Sequence, residues 1–230
     1  MRIVILTGAG ISAESGIPTF RTDDGGPALW AQHRIEDVAT PEAYRRDPDL
    51  VHAFYRARRE AAARAEPNAA HIALAEAAEV LGERMLVVTQ NVDDLHERAG
   101  HPASGLVHMH GRLASAFCTA CGVRIEGGGF GDACACGRGV LRPDIVWFGE
   151  MPYEMDRIER AILAADLFVA IGTSGEVYPA AGFVDLANEV GAQTVELNLA
   201  PTSGVFRASV TGPASETVPA LVRDLLDAHR

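Results

Sequence analysis

The stretch TGAGISAESGIPTFR, Thr7 to Arg21, decides how the rest of the chain is read, because it follows directly on the apolar run RIVILT, Arg2 to Thr7. A buried strand that runs into Gly8, Ala9 and Gly10 and then into a short helical stretch lets backbone N–H groups approach a pyrophosphate, with the helix N-terminus adding positive potential. The spacing departs from the usual dinucleotide fingerprint, since GxGxxG would need Gly at position 13, where Ala13 stands, and only the looser form allows Ala. Taken alone, the motif fits a tight strand-to-helix turn equally well.

Working outward, MLVVTQ (Met85 to Gln90), LFVAIGT (Leu167 to Thr173) and TVELN (Thr194 to Asn198) are short, β-branched, nearly continuous apolar runs, as parallel strands buried on both faces require. Helical patterns lie between them: NAAHIALAEAAEVLG (Asn68 to Gly82), DRIERAILAA (Asp156 to Ala165) and ETVPALVRDLLDAH (Glu216 to His229), where Pro219 can sit in the first turn. The alternation predicts an α/β fold, a doubly wound, Rossmann-like parallel sheet with right-handed crossovers. Gly127 to Gly129 and a cysteine cluster interrupt the pattern. The expected organisation is a Rossmann-like domain over 1–40, 67–111 and 143–230, a helical insert over 41–66 and a separate lobe over 112–142.

Composition narrows the function classes. A chain of 230 residues that is 48% hydrophobic is long enough for a sizeable core, and a formal charge of -11 argues against a general nucleic-acid binder, whose phosphate affinity rests on Lys and Arg. MRIVILTGAG has too few consecutive apolar residues for a signal-peptide core, and no run reaches membrane-spanning length, so a cytoplasmic protein is expected. All 20 basic residues are Arg. The absence of Lys excludes a phosphate-loop lysine, a lysine Schiff base and modification of the chain's own lysine side chains.

The four Cys fall together as CTAC and CAC: Cys118, Cys121, Cys134 and Cys136. A cluster of this kind points to a metal rather than to a distributed disulfide framework, and four thiolates in paired knuckles suffice for one tetrahedral Zn2+. With no open coordination position the ion would be structural. The second pair is C-x-C, tighter than the common zinc-ribbon spacing.

Several strand ends carry small polar residues. TQNVDDLHERAG (Thr89 to Gly100) puts Gln90, Asn91 and Asp93 where open parallel sheets bind ligands. HMHG (His108 to Gly111) offers a histidine, the side chain best suited to act as a base near neutral pH, although a lone histidine is also a common structural group. GTSG (Gly172 to Gly175) and LNLAPT (Leu197 to Thr202) are further ends of the same type. Several on one sheet suggest a nucleotide lying across it. FYRARRE (Phe54 to Glu60) places Tyr55 and Arg58 three residues apart on one helical face, as solvated charge or as the two prongs of a carboxylate clamp.

In this order, GAGISAESGIPTFR, TQNVDDLHERAG, HMHG, RPDIVWFGE (Arg142 to Glu150), GTSG and ELNLAPT resemble the sirtuins, NAD-dependent protein lysine deacylases, and VWFGEMP and GTSGEVYPAAGF are most similar to the bacterial members. The resemblance implies that the loop with Gly8, Ala9, Gly10, Ile17, Phe20 and Arg21 covers NAD+, with Gln90, Asn91 and Asp93 around its ribose and nicotinamide. It further implies that Gly172, Thr173, Ser174 and Asn198 hold the adenosine half, with Ala214 near the adenine. His110, directly before Gly, matches the catalytic histidine, with Asn91 and Asp93 beside it; His108 does not match. Val146, Trp147, Phe148, Gly149 and Glu150 resemble the segment that pairs with the substrate backbone. The C-x-C pair departs from the usual sirtuin CxxC.

By the same resemblance, the Tyr-x-x-Arg of Tyr55 and Arg58 matches the motif of sirtuins that bind the distal carboxylate of succinyl- or malonyl-lysine, leaving Arg56, Arg59 and Arg64 as solvated helix charge. The implied partners are acylated lysine side chains of proteins, with no membrane or nucleic acid, and the chain is expected to be a monomer. The alternatives are a sirtuin acting mainly as a deacetylase, a non-catalytic NAD sensor and a zinc-ribbon interaction module. A hydride-transferring dehydrogenase is disfavoured, because no acidic residue is clearly placed to read the ribose about 20 residues after the glycines. Asp144 and Glu176 carry charges to which no role is assigned.

Overall fold

The first apolar run forms strand β1, Ile3–Thr7, which is buried along its whole length. The computed structural model describes residues 1–19, 33–202 and 205–229. In it, β1 is flanked by β2 (Met85–Thr89) and by a strand at Leu167–Ile171, both parallel to it. The remaining strands are β3 (Leu106–His108), β4 (Gly111–Cys118), β5 (Arg124–Glu126), β6 (Leu141–Ile145), β7 (the Leu167–Ile171 strand), β8 (Gln193–Asn198) and β9 (Ala208–Thr211). The helices are α1 (Ile35–Val38), α2 (Pro41–Arg46), α3 (Pro48–Arg64), α4 (Ala69–Leu81), α5 (Leu95–Arg98), α6 (Met155–Leu163), α7 (Phe183–Glu189) and α8 (Ala214–Asp227).

Six strands make one parallel sheet in the order β3-β2-β1-β7-β8-β9. Counted within this sheet alone, that is the 3-2-1-4-5-6 order of doubly wound dinucleotide-binding folds, with its reversal between β1 and β7. The two-residue period of a strand explains the continuous apolar runs. Ile3, Ile5, Val87 and Val169 face α4 and α8, whereas Val4, Leu6, Val88 and Phe168 face α6 and α7. Among the described residues no helix is long and apolar enough to cross a membrane.

The interruption is a three-stranded antiparallel sheet, β5-β4-β6. Its strands and the helices α1 to α3 share one apolar cluster, in which Val51, Phe54 and Tyr55 meet Leu113, Ala116, Cys118, Cys134 and Trp147. The two segments inserted into the main sheet therefore pack as one body.

The structure adds and corrects elements. Strands β3 and β9 have no apolar run to announce them, because β3 has only three residues and β9, ASVT, is an exposed edge. Pro219 lies in the second turn of α8 rather than the first, since the helix already starts at Ala214. A tertiary cap recruits the extra residues: Glu14 accepts from the Ser215 backbone N–H at 2.9 Å and from its hydroxyl at 2.6 Å.

Candidate active site

The cleft opens where the strand order reverses. After β1 the chain turns through a 3-10 segment, Ala9–Ser15, tied to the end of β7 by Gly8 N–H to the Ile171 carbonyl (2.9 Å) and Gly10 N–H to the Gly172 carbonyl (2.8 Å). The approach is so close that a Cβ on Gly10 would lie 2.7 Å from the Gly172 Cα, and Gly172 itself has φ of +60°. This contact between two loops, not the GxGxxG spacing, is what demands glycine here. Ala9, Gly10, Gly172, Ser174, Asn198 and Ala214 line one cavity. Ile17 instead packs against the apolar cluster of the small sheet. Phe20 and Arg21 lie outside the described residues.

The floor is cross-linked across the sheet. Gln90 Nε2 donates to Thr173 Oγ1 at 3.0 Å, and Asn198 Nδ2 donates to the Thr173 carbonyl at 2.8 Å. Thus Gln90, Thr173 and Asn198, from three strand ends, come together as expected of a surface on which an extended nucleotide lies.

His110 follows β3 and precedes Gly111, whose φ is +81° and where a Cβ would lie 2.0 Å from the Asp144 carbonyl oxygen. Only glycine lets the chain pass there. Nδ1 of His110 faces the Gln90 carbonyl at 3.1 Å, and because a carbonyl only accepts, the proton sits on Nδ1. Nε2 is left unprotonated and, among the described residues, without a partner. Burial pulls this imidazole below its ordinary range, opposed by the Gln90 carbonyl, so near neutral pH it is a free base. His108 turns elsewhere, with Nε2 at 2.9 Å from Glu97 and Nδ1 at 3.4 Å from the Asn91 carbonyl.

Asn91 and Asp93 are both buried and meet at Ser12, which the sequence reading did not single out. The geometry fixes every proton. The backbone N–H of Asn68 donates to His71 Nδ1 at 3.3 Å, so His71 carries its proton on Nε2, which faces Ser12 Oγ at 3.4 Å. Ser12 Oγ also accepts from Asn91 Nδ2 at 3.0 Å and gives its own proton to Asp93 Oδ2 at 3.2 Å. Burial lowers His71 to about 4, which keeps it neutral. Burial also raises the Asp93 carboxyl, with the Leu95 N–H and Ser12 opposing it. His71 belongs to the capping box that starts α4, so its type and place were visible but its distance from Ser12 was not.

Tyr55 and Arg58 share one face of α3, as their spacing requires. Tyr55 is 1% exposed and its hydroxyl oxygen accepts from Trp147 Nε1 at 3.0 Å. The half-buried Arg58 guanidinium lies 5.8 Å from the Tyr55 ring centre and 5.7 Å from that of Phe54. Among the described residues it has no hydrogen bond or ion pair. Burial lowers its pKa, opposed by Tyr55 and Asp93. The expectation of solvated charge is corrected at Arg59 alone: it donates to the carbonyls of Leu113, Gly128 (2.9 Å) and Ser115 and stacks on Phe130 at 3.7 Å, so it bolts α3 to β4 of the small sheet. Arg56 and Arg64 are exposed, as expected, with Arg56 donating once to the Phe130 carbonyl at 3.2 Å.

In the segment Val146 to Glu150, the N–H groups of Val146, Trp147 and Phe148 are taken by the His110 carbonyl, the Glu150 carboxylate and the Ala39 carbonyl. The carbonyls of Val146 and Phe148 and the N–H of Gly149 have no partner among the described residues. Phe148 is exposed, whereas Trp147 is buried. Glu150 turns inward to a two-pronged pair with Arg142 at 2.9 and 2.8 Å. Asp144 is a buried hub of the small sheet that accepts from Ser115 and Tyr153, both at 2.9 Å, and pairs with Arg124. Glu176 is exposed.

The four cysteine sulfurs lie within 4.8 Å of one another, with Cys118 to Cys136 at 3.7 Å and Cys121 to Cys134 at 3.8 Å. A tetrahedron with Zn–S bonds of about 2.3 Å has edges of roughly 3.8 Å, so the set fits one zinc ion despite the tight C-x-C pair. The N–H groups of Ala120 (3.3 Å) and Cys136 (3.5 Å) point at Cys118 and Cys134, as in metal-binding knuckles. Taken as thiols, Cys118 is held at about 6 by the backbone N–H groups of Cys121 and Ala120. Cys134 is pulled down by the N–H of Cys136 but pushed up to about 12 by the surrounding sulfurs and by burial. The N–H groups thus favour the thiolate at Cys118, and a +2 charge at the centre would hold all four sulfurs deprotonated.

Comparison with known proteins agrees with this geometry. The model of the Sir2 family matches residues 8–179. An "NAD-dependent protein deacylase" of Escherichia coli (strain K12) is 54% identical over 234 residues, covering 98% of this chain and 82% of that protein. A crystal structure of a Sir2 homolog–NAD complex superposes with a TM-score of 0.87 at 40% identity, over 100% of this chain and 91% of the other. A mutant Sir2 homologue solved with ADP-ribose gives a TM-score of 0.90 at 39% identity, over 99% and 93%.

Proposed function

The chain belongs to the Sir2 family, and from that premise we propose that it is an NAD-dependent protein lysine deacylase that removes acetyl and acidic acyl groups, succinyl and malonyl, giving nicotinamide and O-acyl-ADP-ribose. NAD+ supplies a ribose carbon that becomes electrophilic as nicotinamide leaves. The residues of this chain then do positioning and proton transfer. The Ala9–Ser15 turn and the Gln90, Thr173 and Asn198 floor hold the dinucleotide extended. Ser12 locks Asn91 and Asp93 in single rotamers at the ribose and nicotinamide end. Nε2 of His110, freed by the anchoring of Nδ1, takes a proton from a ribose hydroxyl. The protein itself needs no nucleophile.

The observation that carries the acidic-acyl reading is the pairing of two unfilled donors. Among the described residues the Arg58 guanidinium has no acid partner, and the hydroxyl of Tyr55, whose ring centre lies 5.8 Å from that guanidinium and whose oxygen already accepts from Trp147, has a proton with no acceptor. A carboxylate between them would complete both with charge-assisted bonds, roughly twice as strong as neutral ones. An acetyl group offers no acceptor at its methyl end, and its smaller size still fits. A cytoplasmic monomer with protein-borne acyl-lysine as its partner belongs to the same proposal.

The test is NAD-dependent turnover of one peptide carrying acetyl-, succinyl- or malonyl-lysine by wild type, Arg58→Met and His110→Tyr. Arg58→Met is expected to lose the acidic substrates and keep acetyl turnover. Unchanged succinyl turnover in that variant makes the enzyme a general deacetylase, and activity in His110→Tyr removes the histidine from the mechanism.

A further inference from the structure

The Tyr55 hydroxyl sits at the end of a rigid chain of contacts. Glu150 grips Arg142 with both carboxylate oxygens, and one of them also accepts the Trp147 backbone N–H at 2.9 Å. Arg142, further tied to the Ile145 carbonyl at 2.9 Å, lays its guanidinium 3.5 Å from the Trp147 ring centre. The Tyr44 ring also packs on the indole, 5.2 Å away. Held by these neighbours and 2% exposed, the indole cannot swing, and its N–H meets the Tyr55 oxygen at 3.0 Å. A cation over the indole face also polarises the ring and makes its N–H a better donor.

A phenol has one proton and two acceptor sites, and an indole N–H can only donate. With the indole N–H filling one acceptor site, the Tyr55 proton cannot turn toward Trp147 without facing another hydrogen. It has to point away from the indole, and the Arg58 guanidinium lies 5.8 Å from the centre of the same phenol ring. Burial raises Tyr55 to about 12, so the hydroxyl keeps that proton across the working pH range.

We propose that Trp147 is a positioning residue that makes the Tyr55 hydroxyl a one-way donor and so sets the discrimination between acidic and neutral acyl groups. This rests on the reading of Tyr55 and Arg58 as a carboxylate clamp. The role differs from backbone pairing with a substrate: the side chain of Trp147 acts through Tyr55, while Phe148 beside it stays exposed. It also joins two recognition tasks, because the Arg142 and Glu150 pair that shapes the peptide-facing segment aims the clamp as well.

The experiment compares kcat/KM for one peptide as succinyl- and acetyl-lysine in wild type, Arg58→Met, Trp147→Phe, Tyr55→Phe and the Trp147→Phe/Tyr55→Phe double variant. Trp147→Phe keeps an aromatic ring and deletes the N–H. It is expected to lower the succinyl-to-acetyl ratio about three- to tenfold, the size of one net hydrogen bond, mainly by raising KM for the succinyl peptide. In the Tyr55→Phe background the same change is expected to do nothing further to the ratio, because the group it acts on is gone. A mere packing defect would instead depress both substrates together and add to the Tyr55→Phe loss.

If Arg58→Met lowers the ratio and Trp147→Phe does not, or if the two losses add in the double variant, the role of Trp147 is overturned and the clamp stands. If Arg58→Met leaves the ratio unchanged, the clamp reading itself falls, and this inference with it. Should Trp147→Phe fail to fold, replacement of tryptophan by its benzothienyl isostere, with sulfur in place of N–H, tests the same ratio and is read in the same way.

Discussion

The hydroxyl of Ser12 donates to Asp93 across 3.2 Å while it accepts from Asn91 at 3.0 Å, so a single buried oxygen fixes two of the three residues proposed to act on the ribose and nicotinamide. Ser12→Ala leaves the Asn91 amide, the Asp93 carboxylate and His71 Nε2 without this partner. Each unsatisfied buried group costs about 1–3 kcal/mol, and the two functional side chains are freed to rotate. The expected outcome is a fall in kcat/KM of about ten- to a hundredfold with the fold retained, measured by steady-state kinetics beside a melting curve. Wild-type kinetics in this variant would mean that Asn91 and Asp93 are held in place by other contacts.

Burial sets the acid limb of the activity. His110 must be neutral to accept a proton, and its pKa lies below the ordinary histidine value, so activity is lost as pH falls through that lowered value rather than near 6.5. Between pH 6.5 and 8 the base is already free, and kcat/KM is expected to be flat on this account. A pH profile checks it. An acid limb centred above 6.5 would place the essential base on another group.

The neighbouring histidines make stability depend on acid in a defined direction. His71 has a folded pKa of about 4 and an ordinary unfolded one, and burial holds His96 well below its usual value too. A depressed folded pKa means that the unfolded chain binds the proton more readily. Stability is therefore full above about pH 6.5 and declines as pH falls toward 4, by an amount on the order of 3 kcal/mol for His71. Denaturant titrations at pH 7 and pH 5 measure this loss, and His71→Gln is expected to shrink the difference between them. An unchanged difference would assign the acid sensitivity to other groups.

Much of the fold was legible because a doubly wound sheet writes itself as continuous apolar runs. RIVILT, MLVVTQ, LFVAIGT and TVELN are four of its six strands, and the missing two are a three-residue piece and an exposed edge with no core side to declare. The cleft was legible at the residues that end these runs, Gly10, Gln90, Thr173 and Asn198. What could not be read were contacts between segments far apart in sequence. Ser12 and His71 meet across 59 positions, and Glu14 caps a helix 201 positions away. Arg59 was misjudged for the same reason, since a charged residue on an Arg-rich helix looks solvated until the carbonyls of Leu113, Gly128 and Ser115 arrive to fill its guanidinium.

The four-cysteine site and the proposed acyl pocket lie in one apolar cluster, where Cys118 and Cys134 belong to the same packed group as Tyr55 and Trp147. Chelation of the metal, or Cys121→Ser, is expected to do more than loosen an outlying loop. Four sulfurs released from one centre can separate, the short strand β5 loses its anchor, and the sheet against which α3 is bolted by Arg59 loses its shape. The expected result is one zinc per chain by elemental analysis of the native protein, a lowered melting temperature after chelation, and loss of both acetyl and succinyl turnover. Binding of ADP-ribose should survive better, because the cleft between β1 and β7 is built on the other sheet and its two-sided core. Calorimetric titration of ADP-ribose into the chelated protein separates these outcomes: retained binding with lost turnover matches this division of labour, whereas loss of both would show that the two sheets unfold as one unit.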